Sequence, residues 1–555
     1  MTERIRKWTI FHRQWWILAC ILGFFRTGSL YFYNNEAPLL STVPYVFLCL
    51  FRFMFYSLLF FSVIIAARQL LLRYGFALFC PVSALNPRTG WLDYGTVFLG
   101  WLPNVIIKYP GAMCWDTWDM LFCYRTGYAL NARHSAFYSL LLGYLVTFFE
   151  RLGHADWGLW LFILGQYLLY VLAFGYSLQL TRRMGFRRGV RWAVTGYYLL
   201  CPYVIAYLGV AIKDASYSAL IMLLTMLLLD CSLDAEAFCS GKAKLILLVL
   251  TSAGICLIRK NGICVIGLTA LFYCIYIISL RHRQGNLRYR LPAAMLCGCV
   301  LCLVINGALS RQYEILPGSI KDALSLPFQQ TARYVKYNSD DVTEEERTVI
   351  DSILQYDTLA DRYDPRISDP VKNRYTENDV QLPAYFSVWA RQFIRHPLCY
   401  CAAAWEQNYY LFVPEAERSN IVLYQDDDVG YELDEPVVIS ESTVMYAPVF
   451  HQPPSLNRWK TWVIAEYRLL HNSLLVGTLS NVSVNTYLFL ATLFFMLFRK
   501  RACLLPLIPA LLTLLTILAG PAIQGHPRYL FPVIYSMPLL ISFALFTWHE
   551  QHHIG

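Results

Sequence analysis

The chain reads as an all-α polytopic membrane protein carrying a mainly helical extracytoplasmic insert. Three observations say so. Long apolar stretches recur along 555 residues of which 57% are hydrophobic and 15% charged, too apolar for an ordinary soluble enzyme. Basic residues cluster in short loops between those stretches, the pattern of cytoplasmic loops in membrane proteins. Polar and acidic residues concentrate instead in one loop, 110–133 with Asp116 and Asp119, and in one insert, 311–471.

Crossing the hydrocarbon takes about 20 apolar residues. Candidate spans fall near 14–33, 44–66, 91–107, 136–150, 157–180, 192–209, 213–230, 244–258, 262–280, 291–310, 473–498, 502–519 and 529–548. The first carries Arg26, follows a basic N-terminus and shows no small-residue cleavage site, so it reads as a retained helix. The chain thus divides into an N-terminal two-span segment (1–90) and a main transmembrane module (91–310) with its first outer loop at 108–134. The insert (311–471) and a C-terminal three-span segment (472–555) follow.

Orientation follows from the arginines. Arg4, Arg6, Lys7 and Arg13 precede the first span, and Arg68 and Arg73 follow the second. Arg182, Arg183, Arg187, Arg188 and Arg191 form one loop cluster, Arg281, Arg283, Arg288 and Arg290 another, and Arg499, Lys500 and Arg501 a third. Placing these in the cytoplasm puts the N-terminus inside, and loop 110–133, the insert and turn 520–528 outside. One conflict arises. Two full spans between His134 and Leu180 would carry the Arg182–Arg191 cluster outside, so either one of those segments is re-entrant or broken, or the count is off by one.

The net charge of +9 calls for no nucleic-acid partner, because the loop arginines account for it and suit anionic lipid headgroups. The 17 cysteines lie mostly in apolar spans, where Cys behaves as a small hydrophobe. No Cys or His spacing matches a structural zinc site. Spacing alone does not favour a Cys114–Cys123 disulfide.

In the insert, Thr343 followed by Glu344, Glu345 and Glu346 resembles a helix start, where acids favour the dipole. Val349, Ile350, Ile353 and Leu354 then share one face. A loop with Pro365 and Pro370 leads to a helical stretch over 384–410. The acidic run DDDVGYELDEP reads as a solvated loop.

Ionisable residues inside or beside the membrane are costly and so informative. Five constellations stand out. In YPGAMCWDTWDML (109–121), Asp116 sits between Trp115 and Trp118. A carboxylate there takes a proton from an acceptor hydroxyl or holds a divalent cation, and reads equally as a helix cap. In NARHS (131–135), Arg133 and His134 suit a phosphate, or simply anchor at headgroups. Lys213-Asp214 opens a span, with a local ion pair as the plainer reading. Arg259 and Lys260 in IRKNG suit an anion at the outer face. Arg528 in GHPRY opens the last span. In the orientation above all five lie outside, and one carboxylate among several cations suits a phosphate-bearing substrate.

Together PG-x4-D-T (110–117), the His134 segment leading into LLLG, KD-x2-Y (213–217), RKNG (259–262), PFQQTARY (327–334), RHPLCY (395–400) and GHPRY resemble a family of bacterial polytopic proteins, domain of unknown function 6020. Its layout is similar to that of GT-C glycosyltransferases. The resemblance covers most of the chain from about residue 90, with two extra spans ahead. It implies a GT-C-like helical bundle in a bacterial plasma membrane. It also implies a polyprenyl-phosphate-linked sugar donor and a glycan or lipid acceptor. By resemblance the acid of the first outer loop, base or metal-linked acid, is Asp116. The family usually shows His-His-Pro where this chain has Arg133-His134-Ser135, so a role for the first histidine does not transfer.

No Rossmann-type GxGxxG opens a helix after a strand, which fits a lipid-borne donor. A transporter or flippase of lipid-linked glycans is the competing class, but such proteins show repeated halves and broken midplane helices, and no repeat is visible here. A polymer ligase or polymerase of the envelope shares the carrier chemistry and stays open. Gln330 and Arg333, directly after an outer helix end, are expected to meet sugar hydroxyls or to pack on the bilayer as part of a juxtamembrane helix.

Overall fold

The computed structural model describes residues 2–34, 43–80, 90–126, 135–279, 286–315, 318–417, 437–440, 443–445, 450, 452–498, 501–520 and 523–553. The chain is a multi-pass, mainly helical membrane protein. Among the described residues, seven helices are long and apolar enough to cross a bilayer, and the apolar helices Val482–Leu497 and Cys503–Ala519 are shorter.

In chain order the bundle contains α1 (Thr2–Tyr33), α2 (Val43–Tyr74), α3 (Trp91–Ile107), α4 (Trp115–Thr126), α5 (Ala136–Arg151), α6 (Ala155–Arg183), α7 (Arg188–Leu200), α8 (Pro202–Tyr207), α9 (Lys213–Leu233), α10 (Ala235–Ser240), α11 (Lys242–Ile258), α12 (Gly262–Ser279) and α13 (Arg290–Tyr313). Candidate span 192–209 is broken into α7 and α8 at Cys201-Pro202, since proline carries no N–H to continue the ladder. Helices Val482–Leu497, Ile508–Ala519 and Phe531–His553 complete the bundle.

Helix α9 is its axis. Nearly every residue from Asp214 to Cys231 is buried, so its apolar run faces neighbouring helices rather than lipid. Each end carries a buried carboxylate, Asp214 and Asp230, about 24 Å apart at the helical rise. Asp230 is fully buried and is held by Arg183, by Lys244 at 2.6 Å and by the Tyr176 hydroxyl. Arg182 pairs with Asp93 at 2.6 Å, and Arg290 donates to the Cys239 carbonyl at 3.3 Å. These basic-loop residues therefore gather at the Asp230 end, called the far end below.

Helices α5 and α6, between His134 and the far end, form a hairpin. Helix α6 reaches the far end through Arg183, while its Gln166 donates to the carbonyls of Tyr207 (3.0 Å) and Val210 (2.9 Å), level with the start of α9. Residues 155–165 thus extend past the Asp214 end. Helix α5 starts at that end, where the Ser135 hydroxyl donates to the Leu257 carbonyl, and packs on the extension of α6 through Tyr138 and Phe162 (ring centroids 5.0 Å apart). At Gly158 a Cβ would lie 2.5 Å from the Leu145 carbonyl, so only glycine lets the two backbones approach this closely. Helix α5 is therefore one arm of a hairpin with α6 on the Asp214 side, an arrangement in which it is expected not to cross. An epitope inserted at Gly153 is expected to be reached by antibody from the same membrane side as one inserted at Val380 of the insert. Labelling from opposite sides would mean that α5 crosses after all.

The insert has its own core, built around Phe328, Ile350, Ile353, Leu359, Val371 and Tyr385. Thr343 and Glu346 form the reciprocal capping box of helix Glu344–Leu354, and Ile350, Ile353 and Leu354 are its buried face. The helical stretch over 384–410 is two helices, Leu382–Arg395 and Pro397–Asn408, divided at His396-Pro397. The insert is tied to the Asp214 end of the bundle. Trp405 Nε1 donates to Ser29 Oγ (2.9 Å), Ser483 Oγ to the Tyr410 carbonyl (2.8 Å), and Arg26 to the Phe412 carbonyl (3.1 Å). Arg26, the anomaly of the first span, thus spends its charge on this junction, with Glu415 at 3.3 Å. The acidic run 426–436 lies outside the described residues.

Candidate functional site: a carboxylate among cations at one end of the bundle

Four separate segments converge where α9 begins. The first is the turn after α3. Gly111 holds φ +117, a left-handed conformation that a side chain would strain, and a Cβ there would meet Ile163 at 2.7 Å. The turn feeds β1 (Ala112–Met113), which runs parallel to β2 (Val210–Ala211) with Ala112 opposite Val210. Thr117 fixes the register further by donating its hydroxyl to the Ala211 carbonyl. This short pairing brings the start of α4 against the start of α9, so Asp116 Oδ2 lies 3.2 Å from Lys213 Nζ.

Asp214, in the first turn of α9, benefits from the helix dipole. Its side chain is 3% exposed and is clasped by two guanidiniums. One is Arg259, placed directly after α11 where the backbone turns extended (φ −134, ψ 135). The other is Arg528, from the 3-10 turn Pro527–Leu530, with Nε 3.5 Å from Asp214 Oδ2. The Arg259 guanidinium lies 5.1 Å from the Tyr217 ring centroid and that of Arg528 5.2 Å from Tyr529, cation–π arrangements that steady both. Lys260 is exposed beside them. Partial burial lowers its ammonium pKa, Asp322 raises it and Lys213 lowers it again. Lys213 and Lys260 are thus near enough to feel each other's charge.

The two carboxylates differ in kind. Asp214 is sealed and serves to hold Arg259 and Arg528 together. Asp116 keeps 32% of its side chain exposed and is the acid a ligand can reach. Lys213, Arg259, Lys260 and Arg528 outnumber Asp116 and Asp214, and the nearby Asp322 is itself bound by Lys372 at 3.0 Å. Such an excess of positive charge favours an anionic ligand.

Of the residues singled out from sequence, Asp116, Lys213, Asp214, Arg259, Lys260 and Arg528 are brought to this end. His134 and Arg133 lie outside the described residues. Gln330 and Arg333 are placed differently. Gln330 is buried in the insert, donating to the Tyr400 carbonyl (3.3 Å) and accepting from Trp389 Nε1 (3.2 Å). Arg333 is ion-paired with Glu406, donates to the Tyr363 hydroxyl (3.2 Å) and stacks on Tyr337. Their polar groups are used inside the insert. Arg333→Ala is therefore expected to lower thermal stability by about 1–3 kcal/mol, since Glu406 loses its buried partner. A variant melting like the parent would return Arg333 to a ligand role. Cys114 and Cys123 are not joined by a disulfide.

Three supporting residues escaped the sequence reading. Lys108 is wholly buried, and its ammonium donates to the carbonyls of Ile205 (2.6 Å) and Ala206 (2.8 Å), closing the C-terminal end of α8. Gln166 fastens β2 and, through Ser216 (3.1 Å), the first turn of α9 to α6. Gln524 joins the turn ahead of Arg528 to the insert, its backbone N–H to Arg366 O (3.0 Å) and its side-chain amide to Glu406 O. The available signal was the same for Lys108 and Gln166: a polar residue inside or ending an apolar run.

A family model described as a family of unknown function (DUF6020) matches residues 124–554. The match takes in Lys213, Asp214, Arg259, Lys260 and Arg528 and begins past Asp116. No curated protein and no solved structure matches the chain.

Proposed function

The chain belongs to the DUF6020 family, and from that premise we propose that it is an integral-membrane glycosyltransferase. It moves a sugar from a polyprenyl-phosphate-linked donor to a glycan or lipid acceptor of the cell envelope, on the outer face of a bacterial plasma membrane. One observation carries the reading: a reachable carboxylate, Asp116, next to a buried Asp214 that gathers Arg259 and Arg528 from distant parts of the chain.

In this reading Asp116 accepts the proton of an acceptor hydroxyl as its oxygen bonds to the anomeric carbon. The anomeric carbon–oxygen bond to phosphate breaks, and the electron pair leaves with the phosphate. Arg259, Arg528, Lys213 and Lys260 meet the charge that develops there, fixed in place before the reaction. Holding a divalent cation is the other chemistry open to Asp116. Among the described residues no group of three or more His, Cys, Asp or Glu side chains gathers, and the proposal routes no step through a metal.

The test is a donor assay on purified protein with radiolabelled polyprenyl-phosphate and polyprenyl-diphosphate sugars. Release of polyprenyl phosphate coupled to labelled acceptor is the expected result. Movement of intact lipid-linked glycan across a vesicle without bond cleavage would identify a flippase. Transfer of a preassembled chain but no single sugar would identify a ligase or polymerase.

A further inference from the structure

We propose that the insert carries a second anion site, a cleft of about 540 Å³ between Arg362 and Arg374 that takes the carboxylate or phosphate group of a glycan acceptor. Naming that ligand an acceptor rests on the transferase reading; the anion site itself does not.

The cleft is lined by Arg362, Ile367, Asp369, Pro370, Asn373 and Arg374. Arg362 is fixed from behind. Its Nε donates to the Thr358 carbonyl (3.1 Å), and its Nη2 donates to the carbonyls of Gln355 (2.7 Å) and Leu354. Its remaining nitrogen, Nη1, is buried beneath the cleft, so Arg362 contributes charge from below rather than a hydrogen-bond donor at the surface. Arg374 is exposed, and its side chain makes no hydrogen bond or ion pair among the described residues. Burial and the charge of Arg374 both lower the Arg362 pKa, so the two guanidiniums share a space with repulsion between them.

The acid in the lining does not relieve this. Asp369 is held by Lys372 at 2.7 Å, and the nearby Asp364 by Arg366 at 2.9 Å. The exposed Arg374 fork, backed by the charge of Arg362, suits a carboxylate or phosphate. The Asn373 amide offers hydrogen bonds, and Ile367 and Pro370 offer an apolar face for a sugar ring.

Position links the cleft to the membrane site. Its wall is held by Gln329, which donates to the carbonyls of Asp364 (2.9 Å) and Ile367 (3.0 Å). The Gln524 N–H donates to Arg366 O at 3.0 Å, and Gln524 lies in the same short turn as Arg528. An acceptor held in the cleft is therefore attached to the segment that supplies a donor-side cation.

The experiment is calorimetric titration of the full-length protein in detergent, with no donor present. Three probes of equal length are compared: a uronic-acid oligosaccharide, a phosphorylated oligosaccharide and a neutral one. Saturable binding of one or both anionic probes but not the neutral one is expected, and which of them binds identifies the acid group. Arg362→Ala removes three backbone ties and risks the fold, so the test uses Arg374, whose exposed side chain holds nothing. Arg374→Ala should weaken the bound probe by roughly tenfold, and Arg374→Glu should abolish binding with unchanged thermal unfolding. The proposal is overturned if neither anionic probe binds better than the neutral one, or if Arg374→Glu binds as the parent does. A failed transferase reading would appear in the donor assay and leave these titrations unaffected.

Discussion

Asn in place of Asp116 is expected to cut sugar transfer by about 100- to 10,000-fold, the usual consequence of removing a general base. The substitution keeps the shape of the side chain and removes only its charge. Asp116 is partly exposed, 3.2 Å from a mostly buried Lys213, so the variant should fold and insert with only a modest loss of stability from the broken ion pair. Donor affinity should rise slightly or hold, because the variant takes a negative charge away from a site that binds phosphate. Transfer by Asp116→Asn at the parent rate would defeat the assignment and direct attention to Asp119, one turn further along α4.

The second large effect belongs to Asp214, through a different mechanism. Its carboxylate is 3% exposed and stands between Arg259 and Arg528. Asp214→Asn leaves two largely buried guanidiniums with no shared counter-charge, and breaking a buried pair this way costs about 3–5 kcal/mol. The thermal midpoint of the detergent-solubilised protein should fall accordingly. Inorganic phosphate should then raise the midpoint of the variant more than that of the parent, because an external anion can occupy the vacated position. A variant as stable as the parent, or one indifferent to phosphate, would mean that Asp214 does not organise the cations.

Much of this arrangement was legible in the sequence, for a physical reason. Lys213, Asp214, Arg259 and Arg528 each stand at the edge of a long apolar stretch, where a charge is expensive and so stands out. Their convergence was legible only as a shared side of the membrane. The contacts themselves depend on the two-residue pairing of Ala112–Met113 with Val210–Ala211, too short to leave any strand pattern. Gln330 and Arg333 show the opposite case. An arginine just past a membrane helix reads the same whether its partner is a ligand or, as here, Glu406 more than seventy positions later. Helix α5 illustrates a third limit. Its 16 residues have the composition of a span, and apolar content alone cannot tell a segment that crosses from one that folds back on α6.

Helix α9 has a consequence for how the protein is made. A segment with a carboxylate near each end is a poor candidate to rest alone in lipid, and both acids acquire their partners from chain synthesised at other times. Asp230 is served early, by Arg183 already in place and by Lys244 soon after. Asp214 waits for Arg259, and then for Arg528 at the head of the final helix. During synthesis the first turn of α9 must therefore stay hydrated or shielded by the insertion machinery while more than half of the protein is still to be translated. Chains that end before residue 528 would carry Asp214 with Arg259 but without its second guanidinium. The last helix closes the bundle and also supplies the charge that lets its central helix settle.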